Sequence, residues 1–66
     1  MVKIDKIKGI MAERGYTQKS LAEKMEMSEA TLTRRLKDGD FTLAEAESMI
    51  EVLNIPNPAE IFFAIN

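Results

Sequence analysis

QKSLAEKMEMSEATLTRRLK, residues 18–37, holds two short helical patterns separated by a tight turn. Leu21 and Met25 are four residues apart, as are Leu32 and Leu36, so each pair falls on one face of a helix. Thr17 stands just before the first pattern and Ser28 begins the second. Both residue types cap the free N–H groups of a first turn. Ala22 is small, which lets the second helix come close to the first. Glu26 and Met27 make the turn, and Glu29 places a negative charge where the helix dipole favours it. With Leu32 and Leu36 turned inward, Ala30, Thr33, Arg34 and Lys37 are left on the outer side. The run ends at Lys37-Asp38-Gly39-Asp40.

Outward from this stretch the chain continues to read as helix, and no alternating pattern predicts a strand. A first helix is expected over Lys3 to Arg14, with Ile4, Ile7, Ile10 and Met11 on one face and Gly15 just past its end. A fourth helix starts at Thr42-Leu43-Ala44-Glu45, where each side chain of a capping box reaches the other's backbone N–H. Leu43, Ala46, Met49, Ile50 and Leu53 form its expected apolar stripe. Glu45, Glu47 and Glu51 form its expected solvated face. Pro56 prevents that helix from continuing. Asn57-Pro58-Ala59-Glu60 then combines a cap, a first-turn proline and an acid in the first turn, predicting a fifth helix from Pro58 to about Ile65. The apolar run Ile61-Phe62-Phe63-Ala64-Ile65 is more than one short helix facing water requires. Part of it is expected to fill the core and the rest to meet another subunit.

The chain has 66 residues, a formal net charge of −2 and no Cys or His. Its length predicts one domain spanning residues 1–66. No disulfide is available, and the usual zinc ligands other than carboxylates are missing, so neither a metal nor another cofactor is expected. No apolar run approaches the roughly 20 residues of a membrane span, and the start MVKIDKIKG lacks the apolar stretch of a signal peptide. A cytoplasmic protein is expected, with no membrane partner. The charge is unevenly placed. Residues 1–37 carry all nine Lys and Arg with five acids, a balance of +4, whereas residues 38–66 carry six acids and no base. One face suited to phosphate and another turned away from it would produce this split.

Two helices joined by a tight turn, the second with small polar and basic groups outside, form the layout that places a helix in the DNA major groove. An enzyme is not expected. Ser20, Ser28 and Ser48 have no plausible base partner, no Gly-rich phosphate loop is present, and Glu45 and Glu47 are two apart on a helix and so diverge. No small-molecule ligand is expected either. The competing expectation is a protein-binding module of antitoxin or anti-repressor kind. It is motivated by the acidic composition, by Glu23, Glu26 and Glu29, and by the apolar fifth helix.

Thr17-Gln18, Leu21-Ala22, Met25, Ser28, Thr31-Leu32-Thr33-Arg34 and Leu36 together resemble the Cro/repressor type of helix-turn-helix protein, a xenobiotic-response-element-like family. Phe41-Thr42-Leu43 and the ending Ile55-Pro56 through Glu60-Ile61-Phe62-Phe63 resemble its small phage or prophage members. The resemblance covers about Ile4 to Phe63. It implies an all-α, compact five-helix, lambda-repressor-like domain with the helix-turn-helix at the second and third helices. It also implies binding to an operator-like site in double-stranded DNA, transcriptional regulation, and often a homodimer, in a bacterial or phage-infected cell. Ending after the fifth helix, the chain is compared more closely with Cro than with larger two-domain repressors. Glu26 stands where the family usually has Gly. A Glu at positive φ is strained, so either the turn differs or it costs stability. Asp38 and Asp40 oppose the phosphate contact that the family often makes after the third helix, except through backbone N–H groups.

The DNA contacts implied by the resemblance divide into positioning and reading. Thr17, Gln18 and Lys19 open the second helix beside the DNA backbone, where the Gln18 amide is expected to bond a phosphate and brace the third helix. Ser28, Glu29 and Ala30 approach base edges. Glu29 suits a cytosine amino group and Ala30 a thymine methyl. Thr33 and Arg34 follow one turn later, with Arg34 expected to fork onto guanine as the chief specificity residue. Arg35 is expected to pack its stem near the core and to send its charge to phosphate or to a Glu, and Lys37 is expected to meet phosphate. Phe62, Phe63 and Ile65 are the expected dimer contacts.

Overall fold

The computed structural model describes residues 2–63. They form five helices: α1 (Ile4–Arg14), α2 (Gln18–Lys24), α3 (Glu29–Asp38), α4 (Leu43–Leu53) and α5 (Pro58–Phe62). There is no strand among the described residues. The all-α, five-helix architecture is the one the periodicity predicts, with α2 and α3 as the helix-turn-helix.

One core joins the helices. Ile7 and Met11 come from α1, Leu21 and Ala22 from α2, Leu32 and Leu36 from α3, Ala46, Met49 and Leu53 from α4, and Ile61 and Phe62 from α5, with Ile55 between α4 and α5. Burying the Ile, Leu, Met and Phe side chains among these stabilises the fold by roughly 1.5–3 kcal/mol each relative to exposure. The backbone also ties the two ends of the domain together, because the Lys3 N–H donates to the Ile61 carbonyl at 2.8 Å.

Three helices end in the same hydrogen-bonded closure, in which a residue at positive φ lets two successive N–H groups reach back to the last turn. Gly15 (φ 80) closes α1 and Asn54 (φ 51) closes α4. Glu26 (φ 57) closes α2. Its N–H donates to the Glu23 carbonyl at 3.2 Å, and the Met27 N–H to the Ala22 carbonyl at 3.0 Å. The turn therefore keeps the geometry of a Gly-containing turn with a Glu in it.

Several expectations are corrected. Leu43 keeps the register of the α4 stripe but is the first residue of the helix, beyond the edge of the core, and is 66% exposed. Glu45 is only 20% exposed and pairs with Arg35, so it does not share the solvated face of Glu47 and Glu51. Asn57 makes no side-chain cap to α5. It takes a left-handed conformation (φ 52), and its backbone carbonyl accepts the Glu60 N–H at 3.0 Å instead. α5 ends at Phe62 rather than near Ile65, which lies outside the described residues. Phe62 is buried, its ring edge-on to Phe41 with centroids 6.1 Å apart, so it is a core residue rather than a surface contact. Phe63 is 58% exposed.

Candidate nucleic-acid interface

α2 and α3 build the candidate interface. α2 starts with a reciprocal capping box: the Ser20 N–H donates to Thr17 Oγ1 at 3.0 Å, and the Thr17 N–H donates to Ser20 Oγ at 2.9 Å. Sequence reading finds the Thr17 cap but not Ser20 as its partner, because the usual box has Glu or Gln at that position. Ser28 caps α3 by accepting the Thr31 N–H at 3.1 Å, and its hydroxyl donates to Thr31 Oγ1 at 2.8 Å. Leu21, Ala22, Leu32 and Leu36 are buried where the two helices meet the core.

The predicted contact residues gather on the side of α3 away from that core. Ser28, Glu29, Ala30, Thr33, Arg34 and Lys37 are all exposed, as are Thr17, which caps α2, and Lys19 in its first turn. Gln18 is half-buried. The Thr33 hydroxyl donates to Gln18 Oε1 at 2.7 Å, so the start of α2 is joined directly to the middle of α3. The Gln18 amide N–H groups make no hydrogen bond among the described residues. Lys19, Arg34 and Lys37 have no carboxylate within ion-pair distance among the described residues. The face thus offers free cations, an amide donor and a small methyl.

Arg35 behaves differently. It lies beside Arg34, yet its Nε donates to Glu45 Oε1 of α4 at 2.9 Å. The same carboxylate oxygen accepts the Thr42 N–H at 2.9 Å, and the Glu45 N–H donates to Thr42 Oγ1 at 3.1 Å. Partial burial alone would raise the Glu45 carboxyl, but the Thr42 N–H and the Arg35 guanidinium outweigh it and hold it below the usual carboxylate range. Of the two destinations expected for the Arg35 charge, the structure fills the internal one. The expectation for Glu45 erred because charge and spacing along one helix do not reveal that α3 passes within reach.

Elsewhere, Lys6 pairs with Glu60 across α1 and α5 at 2.6 Å. Arg14 closes the end of α4 by donating to the Leu53 and Asn54 carbonyls at 3.0 and 3.3 Å. No group of three or more metal-ligating side chains occurs among the described residues, and no described helix is long and apolar enough to cross a membrane.

A family model for the Cro/C1-type HTH DNA-binding domain matches residues 6–65. No curated protein and no solved structure gives a match.

Proposed function

The chain belongs to the Cro/C1-type helix-turn-helix DNA-binding domain family, and from that premise we propose that it is a sequence-specific transcriptional regulator whose α3 enters the major groove. The observation that carries this reading is the exposed side of α3, with Arg34 and Lys37 unpaired among the described residues and Gln18 linked to Thr33 at 2.7 Å. Ser28, Glu29 and Ala30 at the start of α3 face base edges. The Ser28 hydroxyl already serves the cap, so the first reading contacts fall to Glu29 and Ala30. Glu29 accepts from a cytosine amino group and Ala30 touches a thymine methyl. Arg34 forks onto guanine one turn later. Thr17, Lys19 and Lys37 meet phosphate, and Gln18, with its oxygen engaged by Thr33, has its amide N–H groups available for phosphate as well.

The regulator works as a two-fold dimer in the bacterial or phage-infected cytoplasm, because one reading helix covers only a few base pairs and a second half-site about 34 Å away doubles the site. Leu43 and Phe63, the exposed large hydrophobic residues of the described chain, are the side chains available to join the subunits. Selection of random duplex DNA on the pure protein at two salt concentrations tests the proposal. An enriched inverted repeat whose binding falls steeply with salt is expected. Absence of enrichment at low salt would favour a protein partner instead.

A further inference from the structure

Arg34 is turned outward with Leu32 and Leu36 on the opposite side of α3. Its neighbours Thr33 and Arg35 stand on either side of it, each about 100° around the helix axis. Both neighbours are tethered, and to different helices. Thr33 is held by Gln18 of α2 at 2.7 Å, and Arg35 by Glu45 of α4 at 2.9 Å. The second tether has a rigid base, since Glu45 Oε1 is itself fixed by the Thr42 N–H at the first turn of α4. Arg35 also anchors the other end of this connection through its backbone, where its carbonyl accepts the Gly39 N–H at 2.7 Å. The segment from Arg35 to Glu45 is thereby closed into a ring by side-chain and backbone hydrogen bonds. A helix held on both flanks has little freedom to roll about its own axis, and roll is the motion that would swing Arg34 across the groove.

We propose that Glu45 is a positioning residue for DNA reading: it holds Arg35, fixes the roll of α3, and so aims Arg34 at one base pair without touching DNA itself. The proposal rests on the reading of α3 as the recognition helix. It assigns the Arg35 charge to a partner within the protein, unlike that of Lys37, which remains free for phosphate.

The sign of one substitution separates positioning from simple charge. Glu45→Ala removes an acid, so charge alone requires tighter binding to every duplex, whereas loss of aim requires weaker preference for the selected site. The affinity ratio between the selected duplex and a scrambled one is measured for wild type, Glu45→Ala and Glu45→Gln, with folding followed by circular dichroism. Glu45→Ala is expected to lower that ratio about tenfold while binding to scrambled DNA stays level or rises. Re-selection with the variant is expected to lose preference at the position Arg34 reads. Glu45→Gln keeps an acceptor for the Thr42 N–H and, should Glu45→Ala fail to fold, is expected to move the ratio in the same direction by about threefold. An unchanged ratio with tighter binding to both duplexes would overturn the positioning role alone, as would equal loss on both. A wild type with no sequence preference would overturn the recognition-helix reading and this inference with it.

Discussion

Glu26 carries backbone strain at the turn of the helix-turn-helix. Its φ of 57° is a conformation that residues other than Gly, Asn and Asp adopt at a cost of roughly 1–2 kcal/mol. Nothing offsets that cost through the side chain, which is exposed and makes no hydrogen bond among the described residues. Glu26→Gly is therefore expected to stabilise the fold by about 1 kcal/mol, part of the strain being exchanged for the unfolded-state entropy of Gly. In a domain of this size, that corresponds to a rise in melting temperature of about 4–8 °C. A lower melting temperature would mean that the turn is not strained. At the same scale Arg34 and Lys37, both exposed cations on α3, are proposed to differ in role. Arg34→Ala is expected to cost roughly 1–3 kcal/mol on the selected site and to relax one base position. Lys37→Ala is expected to weaken all sequences alike and to reduce the salt slope by about one. Matching sequence profiles for wild type and Arg34→Ala would remove the reading role.

Each helix depends on its ends more than on its length. α2 has seven residues, too few to persist alone in water, and is held by its Thr17–Ser20 box, the Glu26 closure and the buried Leu21 and Ala22. α4 begins at Thr42–Glu45, where the Thr42 N–H and the Arg35 guanidinium favour the ionised carboxyl of Glu45. The folded Glu45 carboxyl lies below its ordinary value of 4.5. A depressed carboxylate contributes stability that is present above the unfolded value and is lost as pH falls through the folded one. The melting temperature is thus expected to hold near neutrality and to drop below about pH 4.5. Glu45→Gln should flatten that drop and lower the neutral-pH plateau. The Lys6–Glu60 pair acts in the same direction, its lysine holding Glu60 below the carboxylate range, but it is exposed and contributes little. An unaltered acid profile in Glu45→Gln would show that the drop belongs to other carboxylates.

For the whole molecule, the proposed dimer rests on Leu43 and Phe63, the exposed large hydrophobic side chains of the described residues. Sedimentation at rising concentration, with and without the selected duplex, is expected to reveal a dimer, and Phe63→Ser to weaken it while leaving the stability of the dilute monomer within about 0.5 kcal/mol, as for other exposed sites. A wild-type monomer under all conditions would end the dimer proposal. Much of the architecture was legible beforehand. Helix number and type, the caps at Thr17, Ser28 and Thr42, and the exposed face of α3 follow from local rules: apolar spacing near 3.6 residues, hydroxyls that satisfy first-turn N–H groups, and proline that stops a helix. These depend only on neighbours along the chain, and the sequence determined them by itself. Tertiary structure decided the partners of groups distant in the chain. Periodicity treats Leu43 and Met49 alike, since it reports the face of a helix and not how far the core extends along it, and the unbroken apolar run through Phe62 and Phe63 does not say which ring is buried. Arg35 and Glu45 lie ten residues apart on different helices, and only the packing of α3 and α4 onto one core brings guanidinium and carboxylate to 2.9 Å. The sequence determined that α3 would carry Arg34, Arg35 and Lys37, and the packing decided which of these charges found a partner within the protein.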